Sequence, residues 1–492
     1  MLRDILDFVE GFPRDVDLKK PVPYIVASIV VVATTLLLRG DPSAKVPWIN
    51  PRGFFELTYA RAKGEFNKNA NRMVTNWFKK NPNKPVNIIA DMGVITILPI
   101  EMTNEIRNDK RFNLAAIHEN LFHSSLSGFE AFRVGDDISI VKDVIYRDLT
   151  KLLPKVTEPL AEESALALVD IFTDTPEWHD IHLKNSILRL LARTSSRVFL
   201  GTELCRNEEW LNVTRGYATN AFMAMEALRM WPKPLRPIAN MFLKISQDNR
   251  DFTLEFNDAI DWFDRSYSEN GIDGDPAMAQ LMMSIAAIHT TSDLTTQTII
   301  DIVKNPEIIE PLRKEIIEVL GADGWVKSSL HKMRLLDSVI KESQRLKPLN
   351  MLAMLRMSQS EVTMSDGTVI PKGCMIAVPS SWKMRDEKVH ESPDQWDGYR
   401  FYRMREDPAK QHAAQLVGTG PEHLAFGHGL HACPGRFFVA NEVKILLSHI
   451  LIKYDLKFNE GVTPRVFEHS FVLSADPFVN LSIRRRQAEI NI

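Results

Sequence analysis

Cysteine is scarce: there are three in 492 residues, Cys205, Cys374 and Cys433. An odd, sparse set excludes a disulfide scaffold and points to a reducing compartment. Neither charge is in excess, with 60 Lys+Arg against 63 Asp+Glu and a formal charge of −3. That balance leaves no electrostatic footprint for nucleic acid, and no such partner is expected. Internal repeats and low-complexity tracts are lacking too. What is present is globular. Hydrophobic residues at 45% and charged residues at 25% exclude a disordered or fibrous chain and can fill a large core. Nineteen Met and 25 Phe give that interior a deformable, apolar character.

One long hydrophobic run stands out. Residues 21–38, PVPYIVASIVVVATTLLL, carry no charge over 18 positions. As a helix they would extend roughly 27 Å, near the thickness of a bilayer core. The run is longer and lies deeper than the apolar stretch of a cleaved signal peptide, so a single membrane anchor is expected. Basic residues flank it on both sides and do not set its orientation; the scarcity of cysteine favours a cytosolic body. Residues 41–53 then carry Pro42, Pro47 and Pro51, the composition of a stiff connector. The expected organisation is a short segment 1–20, an anchor 21–40, a proline-rich linker 41–53 and one body over 54–492.

Within the body helical patterns dominate. Two short hairpins interrupt them: Val86–Ile89 with Val94–Leu98, and Glu361–Met364 with Val369–Ile370. The fold class read from this is mainly α with a minor β-sheet, in a single large domain. The most distinctive helix starts at Asp275-Pro276, an N-cap followed by Pro at the first helical position, and stops near Asn305-Pro306. Positions 277–292 hold no Asp, Glu, Lys or Arg, which marks a buried helix. Its middle, Ala286-Ala-Ile-His-Thr-Thr291, suits two readings. One is a core helix whose hydroxyls bond the preceding turn. The other is a helix passing a bulky ligand, with Ala286 leaving room and Thr290 offering a hydrogen bond.

The most specific stretch is Phe426-Gly-His-Gly-Leu-His-Ala-Cys-Pro-Gly-Arg436. Gly427 and Gly429 permit a tight turn, and Pro434 suits a helix start. An apolar stripe over Ala440, Val443, Leu446, Leu447, Ile450 and Leu451 continues as a helix. Cys433 would therefore sit at a helix N-terminus, where thiolate is favoured. A zinc site drawing on His423, His428, His431 and Cys433 lacks the usual second ligand pair. A Cys-His nucleophile lacks an orienting partner. Axial ligation of a haem iron needs one thiolate and a flat apolar slot.

Three motifs in one order then carry a resemblance. The Phe426–Arg436 loop resembles the haem-binding signature of the cytochrome P-450 superfamily, the haem-thiolate monooxygenases. Lys341-Glu-Ser-Gln-Arg345 resembles that family's Glu-x-x-Arg motif, and Pro393–Phe401 the segment whose Arg completes a triad with it. The helix through Ala286–Thr291 resembles the oxygen-binding helix. The anchor and proline linker match the microsomal form. The similarity spans essentially the whole chain.

The resemblance implies a haem b cofactor (iron protoporphyrin IX), with Cys433 as the axial thiolate. Phe426, Gly427, Gly435 and Ala286 would line the haem slot. Arg356 and His431 would face its propionates, His431 standing where most members carry Arg. Glu342, Arg345 and Arg400 would form a buried structural triad. Thr290 and His289 would handle protons at the oxygen site, His289 replacing the acid that many members have there. The implied partners are an NADPH-cytochrome reductase, the endoplasmic reticulum membrane and an apolar small-molecule substrate. AAIHTTSDL and FGHGLHACPGR look like fungal members that oxidise terpenoid or mixed terpenoid metabolites. Segments 121–132, 221–230, 282–290, 349–354 and 471–472 are expected at the substrate pocket, and residues 231–237 near the bilayer. The alternatives are a haem-thiolate isomerase or dehydratase without a reductase, and a non-enzymatic haem protein that binds a ligand.

Overall fold

The structure is a computed structural model and describes residues 45–248 and 275–492 apart from Phe54 and Leu57, with isolated positions 24, 28 and 268. The expected segments 1–20 and 21–40 lie outside the described residues, save two positions. Among the described residues no helix is long and apolar enough to cross a membrane. The start of the body reaches further back than the sequence suggests. Residues 46–50 run beside the first strand: the Asn87 amide donates to Pro47 O at 2.7 Å and Ile49 to Asn87 O at 3.0 Å. Asn50 is buried and donates to Ile89 O. Part of the expected linker is thus packed onto the body, because its backbone groups find a strand edge to satisfy them.

Helices make up most of the body. The principal ones are Ala60–Lys80, Thr150–Phe172, Leu183–Leu204, Glu208–Arg229, Pro276–Lys304, Ile309–Asp323, Arg334–Leu346 and Arg436–Lys453. The Asp275 side chain accepts from the Ala277 amide at 2.8 Å and caps the long helix as its sequence implies. That helix crosses the centre, packed along Leu183–Leu204 and Arg334–Leu346. The main apolar core joins these to Thr150–Phe172 and Arg436–Lys453.

The sheets are small. The largest orders five strands as Val86–Ala90, Gly93–Ile97, Met375–Val378, Ala353–Ser358 and Phe112–Asn113. Its first pair is the expected hairpin, with Val86 opposite Ile97. The second expected hairpin pairs Val362 with Ile370. A second apolar cluster packs this sheet against helix Ala60–Lys80. Strand Ala353–Ser358 brings Arg356 to the interior, and the loop before Arg436–Lys453 brings Cys433.

A buried acid lies within this core. Glu442 accepts hydrogen bonds from Ser195 Oγ at 2.6 Å and Thr194 Oγ1 at 3.0 Å, with no cation paired to it among the described residues. Burial pushes its carboxyl up to about 7. A carboxyl whose pKa is higher in the fold than in the unfolded chain loses stability as pH rises from its unfolded value through the folded one. Glu442→Gln removes this loss. The variant's stability is expected to match wild type near pH 4 and to exceed it at pH 8 by at most about 3 kcal/mol, read as a higher melting temperature at pH 8 only; equal melting at both pH values would refute the assignment.

A cysteine-centred cavity and the triad behind it

The helix Arg334–Leu346 is unusual because its polar residues are buried. Glu342 and Arg345 are both 0% exposed. Arg345 Nε and Nη2 each meet the Glu342 carboxylate at 2.8 Å. Arg400 Nε reaches the same carboxylate at 3.1 Å. The spare guanidinium N–H groups go to carbonyls: Arg345 to Met384 and Pro393, Arg400 to Glu391 and Gln395. The three residues expected to form a triad do meet, and every charge in it is hydrogen-bonded, the condition for burying charge.

Other polar groups of this helix, which the sequence did not single out, hold the segment leading to Cys433. Lys341 Nζ donates to Gln415 O at 2.7 Å and Gly418 O at 3.1 Å. Asp337 takes the Leu416 amide at 2.8 Å and contacts Lys444 and Arg405. Gln344 Oε1 lies 2.9 Å from His423 Nε2. The available signal was the density of polar residues on a helix between apolar neighbours.

The loop itself is tied down by backbone. Gly427 and Gly429 have φ of +66° and +74°. The Cys433 amide donates to Phe426 O at 2.8 Å, closing the loop. A Cβ on Gly429 would lie 2.6 Å from both the Cβ and the carbonyl O of Arg107. Leu430 N–H is shared between Arg107 O and Asn108 Oδ1. His428 is held between Arg107 and Thr419. The histidines therefore diverge, and no cluster able to hold a zinc-type ion exists among the described residues.

Cys433 opens into a cavity of about 470 Å³, a volume suited to a sizeable ligand. Ala286, Thr290, Arg356, Phe426, Gly427, His431 and Gly435 all line it. Thr290 and Ala286 are exposed only because they face this space on an otherwise buried helix. Thr290 Oγ1 donates to Ala286 O at 2.7 Å. His289 is not among the lining residues. Its ring turns to the neighbouring helix, with Nε2 3.4 Å from Thr214 O, and burial lowers it to about 4. Adjacent residues on a helix point about a quarter-turn apart, so Thr290 and His289 do not share the cavity.

The pocket segments divide similarly. Positions 282–290 and 349–354 contribute Met282, Met283, Leu349 and Met354 to the lining. Segments 121–132 and 221–230 instead pack on each other and on the start of the long helix, with Phe122 and Phe132 stacked at 5.0 Å. Phe471 packs against the sheet cluster. Val141, Ile145, Leu149 and Phe199 line the cavity without having been expected there.

The cavity suits a haem. Burial pushes the Cys433 thiol up, while the amides of Gly435 and Arg436 point at the sulfur and favour its charged form; coordination to a metal deprotonates such a thiol. A Cβ on Gly435 would meet no atom within 4 Å, which leaves open space beside the sulfur. Arg356 is 4% exposed and bonds Leu355 O, with no carboxylate partner among the described residues. Burial lowers it to about 10. Lys142 and His431 lie near enough to feel its charge, and His431 Nδ1 is buried without a partner. A cluster of cationic and donor groups lacking an anion is costly, and two carboxylates of a bound haem would complete it. Lys142, a single Lys in a mostly apolar helical turn, gave no sequence signal. Gly429→Ala forces a side chain into the Arg107 backbone at positive φ. It is expected to cost about 3 kcal/mol and to lower the haem bound per chain several-fold, read by melting and by pigment content; an unchanged pair of values would show that the contact is dispensable.

The family model described as Cytochrome P450 matches residues 132–480. The chain is 44% identical to cytochrome P450 monooxygenase hepE of Aspergillus oryzae, over 94% of its own length and 89% of that protein. It is 41% identical to cytochrome P450 monooxygenase TRI1 of Fusarium sporotrichioides, over 93% and 88% of the two chains. A Gibberella fujikuroi protein named cytochrome P450 monooygenase 1 is 44% identical and is covered over its full length by 84% of this chain. With the cysteine loop, the buried triad and the cavity they frame already in place, this likeness over nearly the whole length means that the chain belongs to the cytochrome P450 family.

Proposed function

We propose that this protein is a haem-thiolate monooxygenase that oxidises a bulky, apolar small molecule of terpenoid type in fungal secondary metabolism. One observation carries the reading: Cys433, Thr290 and the carboxylate-free Arg356 line the same cavity. Haem b, when bound, supplies the activation of O2 with two electrons and two protons. The residues do the rest. Cys433 would hold the iron through its thiolate, whose charge the Gly435 and Arg436 amides moderate. Arg356, with Lys142 and His431 beside it, would fix the propionates through charge-assisted hydrogen bonds. The triad of Glu342, Arg345 and Arg400 would hold the segment that presents Cys433. Thr290 would turn its hydroxyl from Ala286 O toward the cavity and place a proton there. Met282, Met283, Leu349 and Met354 would exclude water and fit the substrate by shape.

Electrons would come from NADPH through a membrane-bound flavoprotein reductase. Residues 21–40 would anchor the chain in the endoplasmic reticulum, after a short segment 1–20, with the linker 41–53 leading to a catalytic body over 54–492 in the cytosol. Support for a membrane-facing surface comes from Met230, Trp231, Leu235, Ile238, Met241 and Phe242, all exposed within one short stretch.

The reduced protein with carbon monoxide is expected to show a strongly red-shifted Soret band that Cys433→Ser abolishes. With reductase and NADPH, labelled oxygen from O2 is expected in products of a terpenoid panel. A band at the position of neutral-ligand haem proteins in wild type would overturn the thiolate assignment, and turnover without NADPH would point to an isomerase.

A further inference from the structure

Two charged groups in the cavity, Asp293 and Lys347, have no part in the chemistry above. Asp293 is the one carboxylate among the described residues lining it, and it lies three positions beyond Thr290 on the same helix. At that spacing two residues are neighbours on the helix surface. Asp293 is buried, and its partners are well defined. Lys184 Nζ donates to Oδ1 at 2.7 Å, the Ala475 amide at 2.9 Å and Ser474 Oγ at 3.4 Å. The Lys347 ammonium contacts Oδ2. Lys184 also donates to Ser474 Oγ at 3.1 Å.

The two lysines lead to different places. Lys347 has a side chain 3% exposed and lines the cavity. Lys184 has a side chain 21% exposed and is not among the lining residues. A single carboxylate thus links a cation outside the lining to a cation within it. His289, beside Thr290 in sequence, faces another helix and cannot serve the cavity.

We propose that Lys184, Asp293 and Lys347 form a proton-entry path from solvent to the cavity beside Thr290, with Lys347 as the positioning donor at its inner end. The proposal rests on the monooxygenase reading, whose chemistry consumes protons. The Lys347 ammonium gives one proton to the cavity; Asp293 passes a proton from Lys184 to Lys347; solvent reprotonates Lys184. No electron moves, and the net change is one proton transferred inward. Burial lowers Lys184 to about 8 and Lys347 well below its ordinary range, which makes both readier proton donors than a solvated lysine.

The test uses the full-length holoenzyme with its reductase and the variants Lys347→Arg, Asp293→Asn and Lys184→Met. Arginine keeps the charge and the contact with Asp293 but does not give up a proton. Product formed per NADPH, against peroxide released, is measured from pH 6 to 9. The C–O stretching band of the reduced carbon monoxide complex, which senses charge in the cavity without turnover, is followed over the same range. Expected is a fall of about tenfold or more in product per NADPH in all three variants, with the red-shifted Soret band retained. The pH-dependent shift of the wild-type C–O band is expected to vanish in Lys347→Arg and Asp293→Asn. Wild-type coupling and a wild-type C–O titration in Lys347→Arg would overturn the path. Should that variant fail to hold haem, Lys184→Met decides, and wild-type coupling there overturns it equally. Loss of the red-shifted band in wild type itself would sink the monooxygenase reading instead, so the two failures are distinguishable.

Discussion

A single carboxylate shared by two guanidiniums, all out of water, is the constraint on which the site depends. Glu342 cannot balance both Arg345 and Arg400, and the surplus charge is spread over carbonyl oxygens from residues 384–395. A buried network of this kind is stable only when every member is satisfied. Because those carbonyls belong to an irregular stretch, the guanidiniums determine its shape. On another side of the same helix Lys341 and Asp337 do the same for residues 415–418. The helix is a polar spine from which both irregular segments before Cys433 hang.

At the cavity the balance is reversed. The spine is fully paired, whereas Arg356 has no acidic partner among the described residues and His431 has a buried ring nitrogen unsatisfied. The chain thus places its completed polar contacts behind the cysteine loop and its incomplete ones in front of it. Rigidity behind and unmet hydrogen bonds in front are what preorganised binding of an anionic, flat ligand requires.

Much of this was legible in the residues. Asp275-Pro276 and Asn305-Pro306 bounded the long helix correctly because caps and prolines act locally. The glycines of the cysteine loop are read as easily, since positive φ and close backbone approach leave few substitutes. Other features were hidden because they depend on distant partners. His289 reads as a cavity residue until the neighbouring helix supplies Thr214 O for its ring. Asp293 and Lys347 lie far apart in sequence, and their partnership exists only once the fold buries them together. Segments 121–132 and 221–230 are apolar enough for a pocket, and the edge-on contact of Phe132 with Phe222 between them has no trace in periodicity.

The contact between Gly429 and Arg107 bears on where the catalytic body can be divided. The match to the family model begins at residue 132, yet one wall of the cysteine loop is the backbone at 107–108, which also receives the Leu430 amide. A fragment trimmed to the matched range would retain the sulfur and lose the surface it is pressed against. The boundary of the family model and the boundary required mechanically are different, and the second includes chain more than 300 positions away in sequence from the loop it supports.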